Sequence, residues 1–519
     1  MTELLPAKAT FAPGEPIAVE ARGAADGETV RLFALERLVA EAAVAGESVT
    51  FQPQPQGGYG VECGDAAGAL DVLSDPLTRP RYGFVSHYEA GRTTAGVAEN
   101  VRRFHLNAVQ FYDWMYRHAD LLPPEDEFED ALGQRLSLTT VRELAAAVRD
   151  AGSLPLAYAA VYAVGKEAWP EWEEEGLFHA DGTPWTLGDF LWNVDPSSER
   201  WLEHFCDDLR DALGVGFAGF HLDQYGSPKW AFRADGTRVD LAEALPALIT
   251  HVAAVLPDAR LIFNNVNDFP TWATAGAPQA VTYIEVWSPH TRLRDLAALV
   301  AKARGYAPAP VVLAAYLPAY TGDEAGAVAG EALQLATVFS SGGTVLVHGE
   351  ESAVLTEAYY VRHHAVSADA RNLLRRYFDF AVRYGDLLFN ATDVTGSHVG
   401  GDNEEVRIEG PAPVSTDAAP GALWCRVMRT ADGLVVHLID LTQQEDDLWA
   451  GPKRIAPPLA GVRVSILRRG QAPATVHAAS PQESPAFAPL QVETSARYDT
   501  VEVPSFTTWS LLQVREASE

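Results

Sequence analysis

Hydrophobic and polar positions alternate in three different ways along these 519 residues. Residues 1–77 hold short runs (PIAVEAR, ETVRLFAL, ESVTFQP, GYGVEC) separated by Gly, Pro and Asp turn signals. That pattern predicts a small immunoglobulin-like β-sandwich. Across residues 78–392 the texture changes to eight apolar, strand-like runs: YGFVSHY, NAVQFYDW, LPLAYAAVYAV, FAGFHLDQYG, RLIFNNVN, AVTYIEVW, APVVLAAYLP and GTVLVHGEE. Most are separated by segments such as LTTVRELAAAVRDAG, where apolar residues recur every three or four positions and a glycine closes the end, as in an amphipathic helix. In DPSSERWLEHFCDDLRDALG, Asp195 and Pro196 mark a helix start, with Trp201, Phe205, Leu209 and Leu213 on one face.

Eight strands alternating with helices predict a (β/α)₈ barrel of the TIM type, with a doubly wound sheet as the alternative. The count of eight favours the barrel, and no GxGxxG follows the first run to support a dinucleotide fold. Residues 393–519 return to short alternating runs (ALWCRVMRT, GLVVHLIDLT, VRVSILRR, FTTWSLLQV), which predict a second β-sandwich. The stretch PAPVSTDAAPGA reads as a linker or long loop.

Charge narrows the function. Lys and Arg number 39 against 70 Asp and Glu, a formal charge of −31 with no basic cluster. Nucleic acid and anionic membrane surfaces are excluded as partners on that balance, and a neutral or cationic substrate fits it. Cys63, Cys206 and Cys425 are widely spaced and share no metal-ligand spacing, so they read as isolated buried thiols; neither a metal nor a cofactor is expected. No run approaches the ~18 apolar residues of a membrane span, and the first residues lack a basic and apolar leader pattern. The expectation is a cytoplasmic protein, or a secreted one from which a leader has been removed; its oligomeric state stays open.

Candidate chemistry lies at the strand ends. Asp223 closes the apolar run GFAGFHLD, where a buried, unpaired carboxylate is costly and must be partnered or used. In a barrel, the C-terminal ends of the strands carry the active site. Glu285 of AVTYIEVW takes the matching place on strand six, Asp113 of VQFYDW on strand two and Glu350 of VLVHGEE on strand eight. Several converging carboxylates with no basic or cysteine motif point to glycoside hydrolysis, which needs one carboxylate as nucleophile or base and a second, kept protonated, as acid. The bland readings are a helix cap or an arginine partner for Asp223 and a structural ion pair for Glu285.

Trp169, Trp172, Trp185, Trp192 and Trp201 crowd the segment after strand three. Indoles suit stacking on a pyranose face, so residues 165–194 are expected to wall the cleft, with Trp185 as a sugar contact. The competing reading is that a long loop needs its own small core, and Trp201 belongs to the core by its helical spacing. His363 and His364 read as a packing or solvated part of an amphipathic helix, without metal-ligand spacing.

FYDWMYRH, GFHLDQYG and YIEVW resemble motifs of glycoside hydrolase family 66, the endo-dextranases and cycloisomaltooligosaccharide glucanotransferases. The resemblance covers nearly the whole chain and implies a sandwich, barrel and sandwich in that order. It implies a retaining mechanism on α-1,6-linked glucans, with Asp223 as nucleophile and Glu285 as acid/base titrating well above it. Asp113 is then expected to grip sugar hydroxyls, with Tyr112, Trp114, Tyr225, Trp287 and Glu350 as further substrate contacts. Cyclising members carry an extra carbohydrate-binding module within the catalytic region, and no stretch here is long enough for one. The expected partner is a linear or cyclic α-1,6-glucan oligosaccharide or dextran. The open alternatives are a transglycosylase and a non-catalytic sugar-binding protein.

Overall fold

The computed structural model describes residues 2–515. Its centre is a closed barrel of eight parallel strands: β1 Tyr82–Val85, β2 Ala108–Phe111, β3 Leu154–Ala160, β4 Gly219–Asp223, β5 Arg260–Val266, β6 Val281–Glu285, β7 Val311–Ala314 and β8 Gly343–Gly349. Neighbours pair in chain order, and β8 pairs with both β7 and β1. That closure rules out the doubly wound sheet. Each strand is followed by a helix: α1 Ala95–Arg103, α2 Leu138–Asp150, α3 Glu199–Leu213, α4 Leu241–Val255, the single turn α5 Thr271–Thr274, α6 Leu293–Tyr306, α7 Glu324–Ser340 and α8 Ala368–Arg383.

Period-two alternation divides every strand between two cores. Phe220 and Leu222 of β4 face the helices, in one core with Trp201, Phe205 and Leu209 of α3. Tyr82, Phe84, Ala108, Leu156, Ile262, Tyr283, Val312 and Leu346 fill the barrel interior. Strand closeness demands glycine at Gly219, where a Cβ would stand 1.9 Å from the Arg260 carbonyl oxygen.

Several boundaries differ from the sequence pattern. The long run LPLAYAAVYAV is two strands, because β3 ends at Ala160 and Ala163–Gly165 turns away into a separate small sheet with Leu191–Asn193. Helix α3 is capped by Ser198, whose side chain accepts from the Trp201 amide; Asp195 instead pairs with Arg233. His364 lies in a two-residue strand, His364–Ala365, pairing with Ala353–Val354, and His363 directly precedes it, so neither histidine is helical. The stretch 411–422 is partly ordered, with Val414–Ser415 pairing parallel to Leu423–Thr430. Among the described residues no group of His, Cys, Asp and Glu is placed to hold a metal, and no helix is long and apolar enough to cross a membrane.

Before the barrel lie two antiparallel sheets, Glu3–Pro6/Ile17–Arg22/Ser48–Phe51 and Arg37–Ala43/Thr29–Ala34/Gly57–Cys63/Ala66–Val72, enclosing Ile17, Val30, Leu32, Phe51 and Val61. After it, two more sheets enclose Val406, Val436, Leu438, Val464 and Val501. All three cysteines are free and buried.

The first pair of sheets is fastened to the barrel entrance by Arg81. Its guanidinium grips Asp71 in a bidentate pair (2.8 and 3.1 Å) and donates to the His105 carbonyl (2.6 Å), with both side chains almost wholly buried. Removing one partner of such a pair leaves an uncompensated charge, at a cost of about 3–5 kcal/mol, whereas replacing both by apolar groups is close to neutral. Arg81→Met should therefore lower the melting temperature sharply, and adding Asp71→Leu should restore most of it. Equal melting temperatures for the single and double variants would contradict this account.

Candidate active site

Alternation also builds the site. On β4 the inward row ends His221, Asp223; on β5 it runs Ile262, Asn264, Val266; on β6, Val281, Tyr283, Glu285. These ends, with Gln110 and Tyr112 from β2, Tyr158 from β3, Tyr316 beyond β7 and Tyr359 and Tyr360 beyond β8, line a cavity of about 630 Å³ at the C-terminal mouth of the barrel.

Asn264 joins the two acids. Its Nδ2 donates to Asp223 Oδ1 at 2.7 Å and to Glu285 Oε2 at 3.0 Å. Those two carboxylate oxygens are therefore at most 5.7 Å apart, the sum of the two bonds. The second oxygen of each acid has its own tyrosine: Tyr158 donates to Asp223 Oδ2 (2.9 Å) and Tyr316 to Glu285 Oε1 (2.7 Å). Gln224 braces the junction by donating to the Asn264 and Phe269 carbonyls at 3.1 and 3.0 Å. Below, His221 Nδ1 meets the Tyr82 hydroxyl at 2.9 Å, and burial holds its imidazole down at about 3, hence neutral.

Burial raises both acids. Asp223 is carried up to about 7 by desolvation and then by the charge of Glu285, against the pull of Asn264 and Tyr158. Glu285 is also raised by desolvation, while Asn264, Tyr316 and Trp287 stabilise its carboxylate. Burial thus lifts both members of the pair out of the ordinary carboxylate range. The charge of Glu285 adds to the rise of Asp223, so two such acids resist ionising together.

Of the residues singled out in the sequence, Asp223, Glu285, Tyr112, Tyr225 and Trp287 line the cavity. Four others do not. Asp113 stands in the turn after β2, with φ +47°, and is buried outside the lining; burial and the nearby Asp130 and Asp223 push its carboxyl up to about 8. Trp114 is fully buried, donates to the Tyr158 carbonyl (3.1 Å) and packs edge-on against Phe217, so it is core. Glu350 is turned aside by an extra residue in β8 between Leu346 and Gly349, which swaps the faces of the strand end. It is occupied by Arg92 and by the amides of Ser86 (2.6 Å) and His87 (3.1 Å). Trp185 stacks on His179 with ring centroids 3.7 Å apart.

The other tryptophans of segment 165–194 pack locally: Trp169 stacks with Trp192, and Trp172 lies edge-on to Trp201 of α3. Leu187, at its hairpin, is the residue of that segment that reaches the cavity. Asn264, Tyr158, Tyr316 and Tyr360 escaped the sequence reading. Asn264 had a signal, since the pair Asn264-Asn265 interrupts an apolar strand just as Asp223 does. The tyrosines had none, because Tyr is an ordinary strand residue.

The family model described as glycosyl hydrolase family 66 matches residues 7–513. Two cycloisomaltooligosaccharide glucanotransferases of Niallia circulans are 28% identical over 214 residues and 27% over 294 residues. These alignments take in 37% and 49% of this chain but 22% and 30% of the relatives, so the chain spans under a third of their length. A Paenibacillus sp. cycloisomaltooligosaccharide glucanotransferase, solved with cycloisomaltoheptaose, superposes with a TM-score of 0.87 at 19% identity, over 99% of this chain and 100% of that one. A Geobacillus thermoleovorans α-amylase, solved with acarbose, shares the fold at a TM-score of 0.55 and 9% identity, over 85% of this chain and 99% of that one.

The raised Asp223 has a testable cost. Its folded value of about 7 exceeds the ~3.9 of an unfolded chain, so the folded protein binds more protons between those values. Stability from this group is intact below about pH 4 and is lost as the pH climbs through about 7. Asp223→Asn removes the titration. Its melting temperature should exceed the native protein's at pH 8, by the equivalent of about 1–4 kcal/mol, and the gap should close towards pH 4. A gap independent of pH would sink the assignment.

Proposed function

The chain belongs to glycosyl hydrolase family 66, and from that premise we propose that it hydrolyses α-1,6-glucosidic bonds of isomaltooligosaccharides or dextran with retention of configuration. The observation that carries this reading is the shared Asn264 donor. It holds the two acids within 5.7 Å, near the roughly 5–5.5 Å of retaining glycosidases and short of the roughly 6.5–9.5 Å that leaves room for a water in inverting ones.

Asp223 attacks the anomeric carbon while Glu285 gives its proton to the departing oxygen, so the glycosidic bond breaks as an ester to Asp223 forms. Glu285, now a carboxylate, takes a proton from water; the oxygen of that water bonds to the anomeric carbon and Asp223 leaves. The acids must together hold one proton, and with sugar bound it resides on Glu285. Positive charge developing on the sugar favours ionised Asp223, and the glycosidic oxygen gives the glutamate proton an acceptor. Tyr158 and Asn264 stay bonded to Asp223 and orient it.

A second reading, transfer of the glucosyl unit to another sugar, is favoured by the names of the relatives. It differs only in what attacks the Asp223 ester. Chromatography of isomaltooligosaccharide digests separates the two, since hydrolysis gives shorter chains and transfer gives longer or cyclic ones. A purely sugar-binding protein would leave them unchanged, and would have no use for two acids sharing one donor.

Two variants test the roles. Asp223→Gly should be nearly inactive but should make β-glucosyl azide from an activated α-glucoside when azide is supplied, because the anion enters from the vacated face. Glu285→Gln should lose about 10²–10⁴-fold on oligosaccharides yet keep much of its first-step rate on an aryl glucoside whose departure needs no acid. An Asp223→Gly protein that binds sugar but that no small anion rescues would remove Asp223 from the nucleophile's role.

A further inference from the structure

Three tryptophans stand unusually open, Trp230 at 49%, Trp272 at 52% and Trp287 at 41% exposure, and they follow the adjacent strands β4, β5 and β6. Tryptophan is highly buried on average, so three open indoles after three adjacent strands call for a cause. Trp287 lines the cavity and leans edge-on to Tyr316. Trp230 is covered, since the guanidinium of Arg238 lies 5.1 Å over its ring.

Trp272 has no such cover; its ring meets Phe269 edge-on at 5.6 Å. Phe269 is tied to the catalytic floor, because its carbonyl accepts from Gln224, the residue after Asp223. Over the Phe269 ring, 3.6 Å from its centroid, sits the ammonium of Lys229, which itself lines the cavity. Among the described residues that ammonium meets no carboxylate, in a chain where acids outnumber bases by 70 to 39. A chain of contacts thus leads from the cavity-lining Lys229 through Phe269 to the exposed Trp272.

We infer that Lys229 and Trp272 form an outer sugar subsite of this cleft, Trp272 stacking on the apolar face of a hexose unit and Lys229 donating to its hydroxyls. The subsite sets a preference for chains long enough to reach it. An indole offers a flat apolar face without hydroxyl competition, and an ammonium offers three donors and no acceptor, a pairing that suits an uncharged polyol ring. The inference rests on the α-glucan reading above.

The test is kcat/KM along a ladder of linear isomaltooligosaccharides for the native protein, Trp272→Ala, Lys229→Met and Trp230→Ala. The native value should climb with length to a plateau. Trp272→Ala and Lys229→Met should each lose about fivefold of the advantage of long over short chains, through KM rather than kcat, while Trp230→Ala keeps it. If both variants keep the native length dependence, or lose activity equally at every length, the subsite is refuted while the functional reading stands. A native protein that converts no member of the ladder refutes both.

Discussion

One amide hydrogen-bonding group constrains the whole site. Asn264 Nδ2 is shared between Asp223 and Glu285, so β5, lying between β4 and β6, fixes the distance across which the chemistry must run. Two carboxylates at this separation in a buried setting resist double ionisation, and neutral donors ease that strain without cancelling it. An arginine in the same place would pull both acids down and leave no proton to give. An asparagine lets the pair keep one. The surrounding tyrosines extend the same logic, since each hydroxyl donates to one carboxylate oxygen and adds no charge of its own.

The barrel must be rigid beneath that arrangement, and its interior is polar enough to need full partnering. His221 and Tyr82 meet within the barrel, and Tyr283 meets Tyr360 at 3.3 Å. Tyr112 stacks on Tyr360 with centroids 4.3 Å apart. Aromatic rings at these positions fill volume as aliphatic side chains would, while their hydroxyls form a bonded layer under the acids. Burial that stabilises the fold is thereby combined with the low-dielectric setting that raises Asp223.

Much of this was legible in the chain. The switch from period two to alternating strand and helix, and back again, marked the barrel and its flanking sheets, because periodicity records which faces are buried. Asp223 and Glu285 were visible as charges closing apolar runs. The failures are equally physical. Asp113 and Glu350 also stand near strand ends, but backbone detail sets a side chain's direction: Asp113 sits in a left-handed turn beyond β2, and one extra residue in β8 turns Glu350 towards Arg92. Such a bulge has no signature in VLVHGEE. The donors that hold the acid pair were equally hidden, because Asn264, Tyr158 and Tyr316 come from three other strands or their ends.

The tryptophans show how composition alone misleads. Five crowd residues 169–201, and that density reads as a sugar platform; yet Trp169, Trp172 and Trp185 each find an aromatic partner within the segment or on α3. A long excursion lacking regular helices must supply its own core, and large rings do so with few residues. Trp272 comes from the opposite situation. Its turn, α5, is a single four-residue helix between β5 and β6, too short to lay a side chain back onto the barrel, so the indole projects from it. Trp230, on the hairpin after β4, is nearly as open, but Arg238 lies over its ring; the shortest crossover lays no such group over Trp272. Exposure of an indole is therefore set by what its loop lays over it, and the loop richest in tryptophan is the one that spends its rings on one another.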